Sequence, residues 1–176
     1  MKIIVCKILF VIAVLLVFPD GILGSGAKKT DDKTLFKIGR SKDANEIYYT
    51  VKTTTEGNLD LSEPIGIYWI KFTKNGAVEP LTSIQNTFAY GVKLLNVSPE
   101  KADFQFVSYS KRTFSLHKTK AGNFSVFTIT NGAEVEVERI FIQIDGGTFW
   151  LPKIPKVELH ARIPEGGNPV VEIIIP

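Results

Sequence analysis

Cysteine is almost missing from this chain: Cys6 is the only one in 176 residues. A disulfide needs two, and a thiolate zinc set needs several, so both are excluded. Cys6 also precedes the apolar run rather than following it, which rules out the lipid-bearing cysteine of an exported lipoprotein. Histidine is nearly as scarce. His117 and His160 are far apart and neither belongs to an HExxH-type pair, so the residues name no metal site and no cofactor. A G-x-S-x-G elbow is lacking, as is any Gly-rich phosphate loop, and no catalytic residue can be nominated. Charge excess is small too. The net charge of +3 is far from the cationic surplus that nucleic-acid binding requires.

Long apolar runs are absent except for one, Ile8 to Phe18, preceded by Lys2 and Lys7 and broken by Asp20-Gly21. At roughly 1.5 Å per residue it covers about 16 Å of helix, half of a bilayer core. Ser25-Gly26-Ala27 follows with the small-x-small pattern of a cleavage site. This layout reads as a signal peptide over residues 1–27, cut near Ala27, that sends the chain to the periplasm or the cell exterior. The segment carries two lysines and one aspartate, so its loss lowers the net charge by one and removes the only cysteine. No membrane-spanning segment is expected in the mature chain. Residues 28–34 read as a flexible charged lead-in and residues 35–176 as one domain.

That domain is rich in valine, isoleucine, threonine and phenylalanine, with turn signals such as Asn75-Gly76, Asn131-Gly132 and Gly146-Gly147 at β spacing. Asn-Gly and Gly-Gly accept the positive φ of tight hairpins. The pattern predicts an all-β, single-domain, antiparallel barrel or sandwich of about nine or ten strands, with the barrel favoured. One short helix is expected, with Pro80 in its first turn, Leu81, Ile84 and Phe88 on one face, and Gly91 closing it. Ile65–Phe72 is apolar on both faces and reads as a covered strand.

Alternation also assigns faces. Val157, Leu159, Ala161 and Ile163 form a core face opposite Lys156, Glu158, His160 and Arg162. On the last strand Val171, Ile173 and Ile175 are expected to face the core, leaving Glu172 to pair with His160 or Arg162 outside. Val135 and Val137 fall out of phase with Ile140, Ile142 and Ile144, which predicts a β-bulge near Glu138-Arg139 and a bent strand.

Binding residues are sought where charge and aromatics cluster. From Phe104 to Ala133 there is no acidic residue, while Lys111, Arg112, Lys118 and Lys120 accumulate beside interleaved aromatics. Such a hairpin suits an anionic ligand. The competing reading is a charge-balanced surface, neutralised by Glu134, Glu136 and Glu138 across the next turn. Tyr90 and Trp150 join the candidates as aromatics, Trp150 because parity turns it away from the Ile142–Ile144 face.

The stretches LFKIGRSKDANEIYY (Leu35–Tyr49), PIGIYWIKFTKNGAVEPLT (Pro64–Thr82), FAYGV (Phe88–Val92) and LPKIPKVELHARIPEGG (Leu151–Gly167) resemble a family of small exported bacterial proteins known as domain of unknown function 4833. The resemblance implies a bacterial origin and supplies no activity or site residue. The residues favour a non-catalytic binding or interaction module over an enzyme. Its partner would be a small anionic or carbohydrate-like molecule, a glycan or an envelope protein. The alternatives are a small carboxylate-dependent, glycosidase-like hydrolase and an envelope structural protein.

Overall fold

A computed structural model describes residues 33–148 and 151–176. Eleven strands make one sheet: β1 (Thr34–Arg40), β2 (Asp43–Val51), β3 (Ile65–Lys71), β4 (Ala77–Pro80), β5 (Val92–Val97), β6 (Lys101–Phe106), β7 (Tyr109–Lys118), β8 (Phe124–Thr130), β9 (Ala133–Gln143), β10 (Lys156–Arg162) and β11 (Pro169–Ile174). Among the described residues a single α-helix, α1 (Ser83–Phe88), lies between β4 and β5. The protein is all-β, as the alternation predicts, and its sheet curls into a half-barrel. One strand more than the upper expectation is present, because short segments such as β4 have too few residues to announce a period.

The order along the sheet is β4-β3-β2-β1-β9-β8-β7-β6-β5, with β10 and β11 branching from β9. The branch is made by β9. One edge pairs with β10 from Glu136 to Gln143. The other edge is divided: Ala133–Glu136 pair with β8, and Arg139–Ile142 pair with β1. The β1–β9 contact is parallel, whereas the other strand pairs are antiparallel. Between the two halves the register against β10 slips, with Arg139 opposite His160 but Val137 opposite Ala161, so Glu138 is the extra residue of the expected bulge. Val135, Val137 and Ile140 are thereby all buried on one side. The bulge re-phases the strand and lets it serve two partners.

Turn chemistry follows the residues. Asn131 and Gly132 adopt φ of 51° and 79°, the paired left-handed conformations of a two-residue hairpin turn joining β8 to β9. The core is aromatic. Phe36 stacks on Tyr49 at 4.4 Å between centroids, Phe106 meets both edge-on, and Phe104 stacks on Phe114 at 5.5 Å. Each fully buried side chain of this size contributes about 1.5–3 kcal/mol through area removed from water.

Two sequence expectations are corrected. The helix begins after Thr82, whose hydroxyl accepts from the Gln85 N–H while the Gln85 side chain accepts from the Thr82 N–H; this capping box outcompetes Pro80, which ends β4 instead. None of its residues is buried, and Ile84 and Phe88 are 43% and 65% exposed. Gly91 does not end the helix but passes beneath it: a Cβ there would lie 1.9 Å from the Asn86 carbonyl oxygen.

The last strand has the opposite parity to the one expected. Leu159 faces Glu172 and His160 faces Val171, so Val171, Ile173 and Ile175 point outward, 55%, 59% and 72% exposed. The loop is the cause. The Ile163 N–H donates to the Asn168 carbonyl and the Gly167 N–H donates to the Ile163 carbonyl, closing a turn over residues 164–167 with Glu165 and Gly166 at positive φ. An even-membered turn inverts the face that an odd one would present. Glu172 is therefore carried inward and does not pair with His160 or Arg162. Those take other partners: His160 contacts Glu158, and Arg162 contacts Glu138 and Glu136.

Candidate functional site

A cleft lies between the α1–β5 connection and the ends of β1, β9 and β10. Its inner part is a chamber of about 160 Å³ walled by Ile38, Phe106, Phe114, Ile140, Val157, Leu159 and Ile174. Its outer part, about 510 Å³, is bounded by Arg40, Lys42, Ile84, Gln85, Phe88 and the Gly146-Gly147 turn. Ala89, Tyr90, Ser108, Ile142 and Ile154 line both parts and form the neck between them. The chamber is apolar because it is the inner face of the half-barrel. The mouth is mixed: strand ends and turns bring Arg40, Lys42 and Gln85 there beside Ile84, Phe88 and Ile144.

The mouth is organised around Trp69, which is 1% exposed. Its indole N–H donates to Gln85 Oε1 at 3.2 Å, tying the short helix to β3. Tyr90 packs edge-on against the same indole at 5.5 Å. The Tyr90 carbonyl accepts from the Tyr49 hydroxyl at 2.6 Å. Tyr49 lies wholly inside, and burial pushes its hydroxyl well above the ordinary tyrosine value, so it remains a donor at any physiological pH.

Arg40, at the end of β1, lies over the Trp69 ring at 4.6 Å and donates through Nη1 to Tyr90 Oη at 3.1 Å. Its Nη2 donates to Asp43 Oδ2 at 2.7 Å across the Ser41-Lys42 turn. Aromatic stacking with a hydrogen bond on either side holds the guanidinium in one place. Lys42, on that turn, is exposed and has no ion-pair partner among the described residues. Ser108 closes the neck from the β6–β7 side, its hydroxyl donating to the Ala89 carbonyl at 2.6 Å.

The residues singled out from sequence are distributed unevenly. Tyr90 stands at the neck and Arg112 lines the inner chamber. Arg112 is also engaged in a paired contact, its Nη1 and Nη2 donating to the two Glu172 oxygens at 2.8 and 2.5 Å, with Thr130 Oγ1 donating to the same carboxylate at 2.8 Å. Lys111, Lys118 and Lys120 line neither part of the cleft. Lys118 Nζ sits 5.2 Å from the Phe124 ring centroid, and Lys120 pairs with Glu165. The neighbouring His117 stacks on Phe127 at 4.2 Å, with Glu134 3.9 Å from its Nε2. Trp150 falls outside the described residues, as does the expected signal segment. Arg40, Lys42 and Ser108 were not singled out by the sequence reading. They come from two turns far apart in the chain, and only the β1–β9 pairing and the curl bring them to one opening.

Among the described residues no three His, Cys, Asp or Glu side chains gather into a metal-ligand group, and no helix is long and apolar enough to cross a membrane.

Fold and cleft together define an all-β half-barrel domain with a part-apolar, part-cationic cleft beside α1. The chain belongs to the family described as Domain of unknown function (DUF4833), whose model matches residues 36–173. Neither a curated protein nor a solved structure matched it.

Proposed function

We propose that this domain is a non-catalytic binding module, working beyond the inner membrane, that holds a small molecule in the cleft at Tyr90. Export is supported by the Lys2/Lys7, Ile8–Phe18 and Ser25-Gly26-Ala27 layout and the bacterial character that the family resemblance implies. The observation that carries the binding reading is the neck: the same residues wall an apolar chamber and a mouth that holds Arg40 and Lys42, so one molecule can occupy both. Sites of this kind combine mostly apolar walls with a few placed polar groups. Of the two ligand chemistries raised by the sequence, an anion is favoured over a sugar. The mouth presents Arg40 and Lys42, whereas the Trp69 indole is covered and offers no face for sugar stacking.

The test is titration of the full chain with the anionic fluorophore 8-anilinonaphthalene-1-sulfonate. Saturable binding is expected in the wild type and should be reduced at least tenfold by Ser108→Trp and by Ile154→Trp, which fill the neck from opposite walls. Circular dichroism establishes that each variant is folded. Undiminished binding in both folded variants would overturn the cleft reading.

A further inference from the structure

Resting on that cleft reading, we infer the ligand class: a straight-chain alkyl oxyanion of medium length, its tail in the chamber and its carboxylate or phosphate head at Arg40 and Lys42. The argument begins with size. The chamber's 160 Å³ is close to the roughly 150 Å³ cavity that holds one benzene, so it accommodates about six carbon atoms. Beyond the neck the outer part holds the cations, Arg40 and Lys42, beside further apolar side chains. The chamber walls are Ile38, Phe106, Phe114, Ile140, Val157 and Leu159, which offer a tail apolar contact and no hydrogen bond. A wholly polar solute would lose its hydration there without compensation.

The direction of the ligand follows from which cation has charge to spare. Arg112 touches the chamber, but its charge is matched by Glu172, whose two oxygens accept from both Nη groups and from Thr130 as well. That cation has none to spare. At the mouth two cations, Arg40 and Lys42, face one carboxylate, Asp43. Arg40 uses one N–H toward Asp43 and one toward Tyr90, and its Nε–H is covered, which leaves one further hydrogen on each Nη. Because the Tyr90 oxygen accepts from Arg40, its own hydroxyl hydrogen is left to donate. An oxyanion at the mouth therefore meets an ammonium, a phenol and a held guanidinium beside one shared neck, which a neutral head of the same tail would not exploit. Medium length follows from the chamber's volume, which about six carbons fill.

The experiment is calorimetric titration of the full chain, below micelle-forming concentrations, with alkyl carboxylates of four to twelve carbons, octyl phosphate and octyl glucoside. Affinity should climb by about three- to fourfold per methylene up to roughly eight carbons and then level off. Octyl glucoside should bind at least tenfold more weakly than octanoate or octyl phosphate, and the tighter of those two identifies the head. Lys42→Glu, a change on an exposed turn, should weaken both anions about tenfold and leave octyl glucoside unchanged. Equal binding of octyl glucoside and octanoate, or indifference of octanoate to Lys42→Glu, would overturn the oxyanion head. Affinity that keeps rising through twelve carbons would overturn the medium-length tail. In each of those cases the sulfonate titration still reports on the cleft, so the two readings fail separately.

Discussion

Arg112 on β7 and Glu172 on β11 hold each other through two hydrogen bonds, although their strands share no backbone pairing. Between them lie β8, β9 and β10, so the pair closes a curl of five strands with side chains alone. Both groups are mostly covered, with 17% and 25% of their side chains exposed. A two-pronged contact of this kind is geometrically selective, and it sets how far apart the chamber walls stand.

Removing both partners should therefore cost less than the two single losses added together. Glu172→Leu leaves the Arg112 guanidinium half-buried without its acceptor, for an expected loss of about 1–3 kcal/mol. The double variant Arg112→Met/Glu172→Leu should lose clearly less than the sum of the singles. Urea unfolding of the four proteins measures the coupling, and strict additivity would mean that the clasp contributes nothing of its own.

The clasp should also be sensitive to acid. The hydrogen bond from Arg112 holds the Glu172 carboxyl below its ordinary value of 4.5, with burial opposing and Thr130 helping. A depressed carboxyl contributes stability that is complete above the unfolded value and is lost as pH falls through the folded one. The stability gap between wild type and Glu172→Gln should be flat between about pH 6 and 8 and shrink below about pH 4.5. Unfolding midpoints across that range decide it. A gap that widens in acid would contradict the sign.

The inverted face of β11 makes a contrast between neighbours. Ile173→Thr alters an exposed side chain and should move stability by no more than about 0.5 kcal/mol. Leu159→Ala, in the adjacent strand and 2% exposed, should cost about 2–5 kcal/mol. Were Ile173 in the core, as simple alternation suggests, the two losses would be similar.

Gly91 offers a test of how the helix is seated. An alanine Cβ would meet the Asn86 carbonyl oxygen at 1.9 Å, which forces the chain beneath α1 to move. Gly91→Ala should cost about 1–3 kcal/mol or more. It should also speed amide exchange at Asn86, Ala89 and Tyr90, whose N–H groups bond within this segment. Gly57→Ala, with nothing within 4 Å but φ of 77°, should show only the backbone cost of about 1–2 kcal/mol and no change in exchange near the helix.

Much of this fold was legible because β patterning is local. Alternation along Val157–Arg162 and the phase break at Glu138 each need only a few neighbouring residues, and both are present. The face of β11 was misread because it depends on the geometry of one turn. Glu165 adopts a positive φ that glycine would ordinarily supply, and nothing in its residue type announces that. The helix start was misread because Pro80 is a strong signal and the Thr82–Gln85 box a quieter one. The cleft was hardest to foresee. Tyr90 and Arg112 are visible as an aromatic and a cation, but Arg40, Lys42 and Ser108 are ordinary turn and strand-end residues until strands from opposite ends of the chain meet.

The divided edge of β9 bears on how the protein can be made. Lys37 finds its partner in Arg139, so the first strand waits for most of the domain before its outer edge is covered. Pairings that join distant parts of a chain are slow to form, and an open strand edge invites association with other chains. A chain cut short anywhere before Arg139 keeps β1 as a bare edge. Partial products that stop short of β9 should therefore associate more readily than the chain in which β1 is paired on both sides.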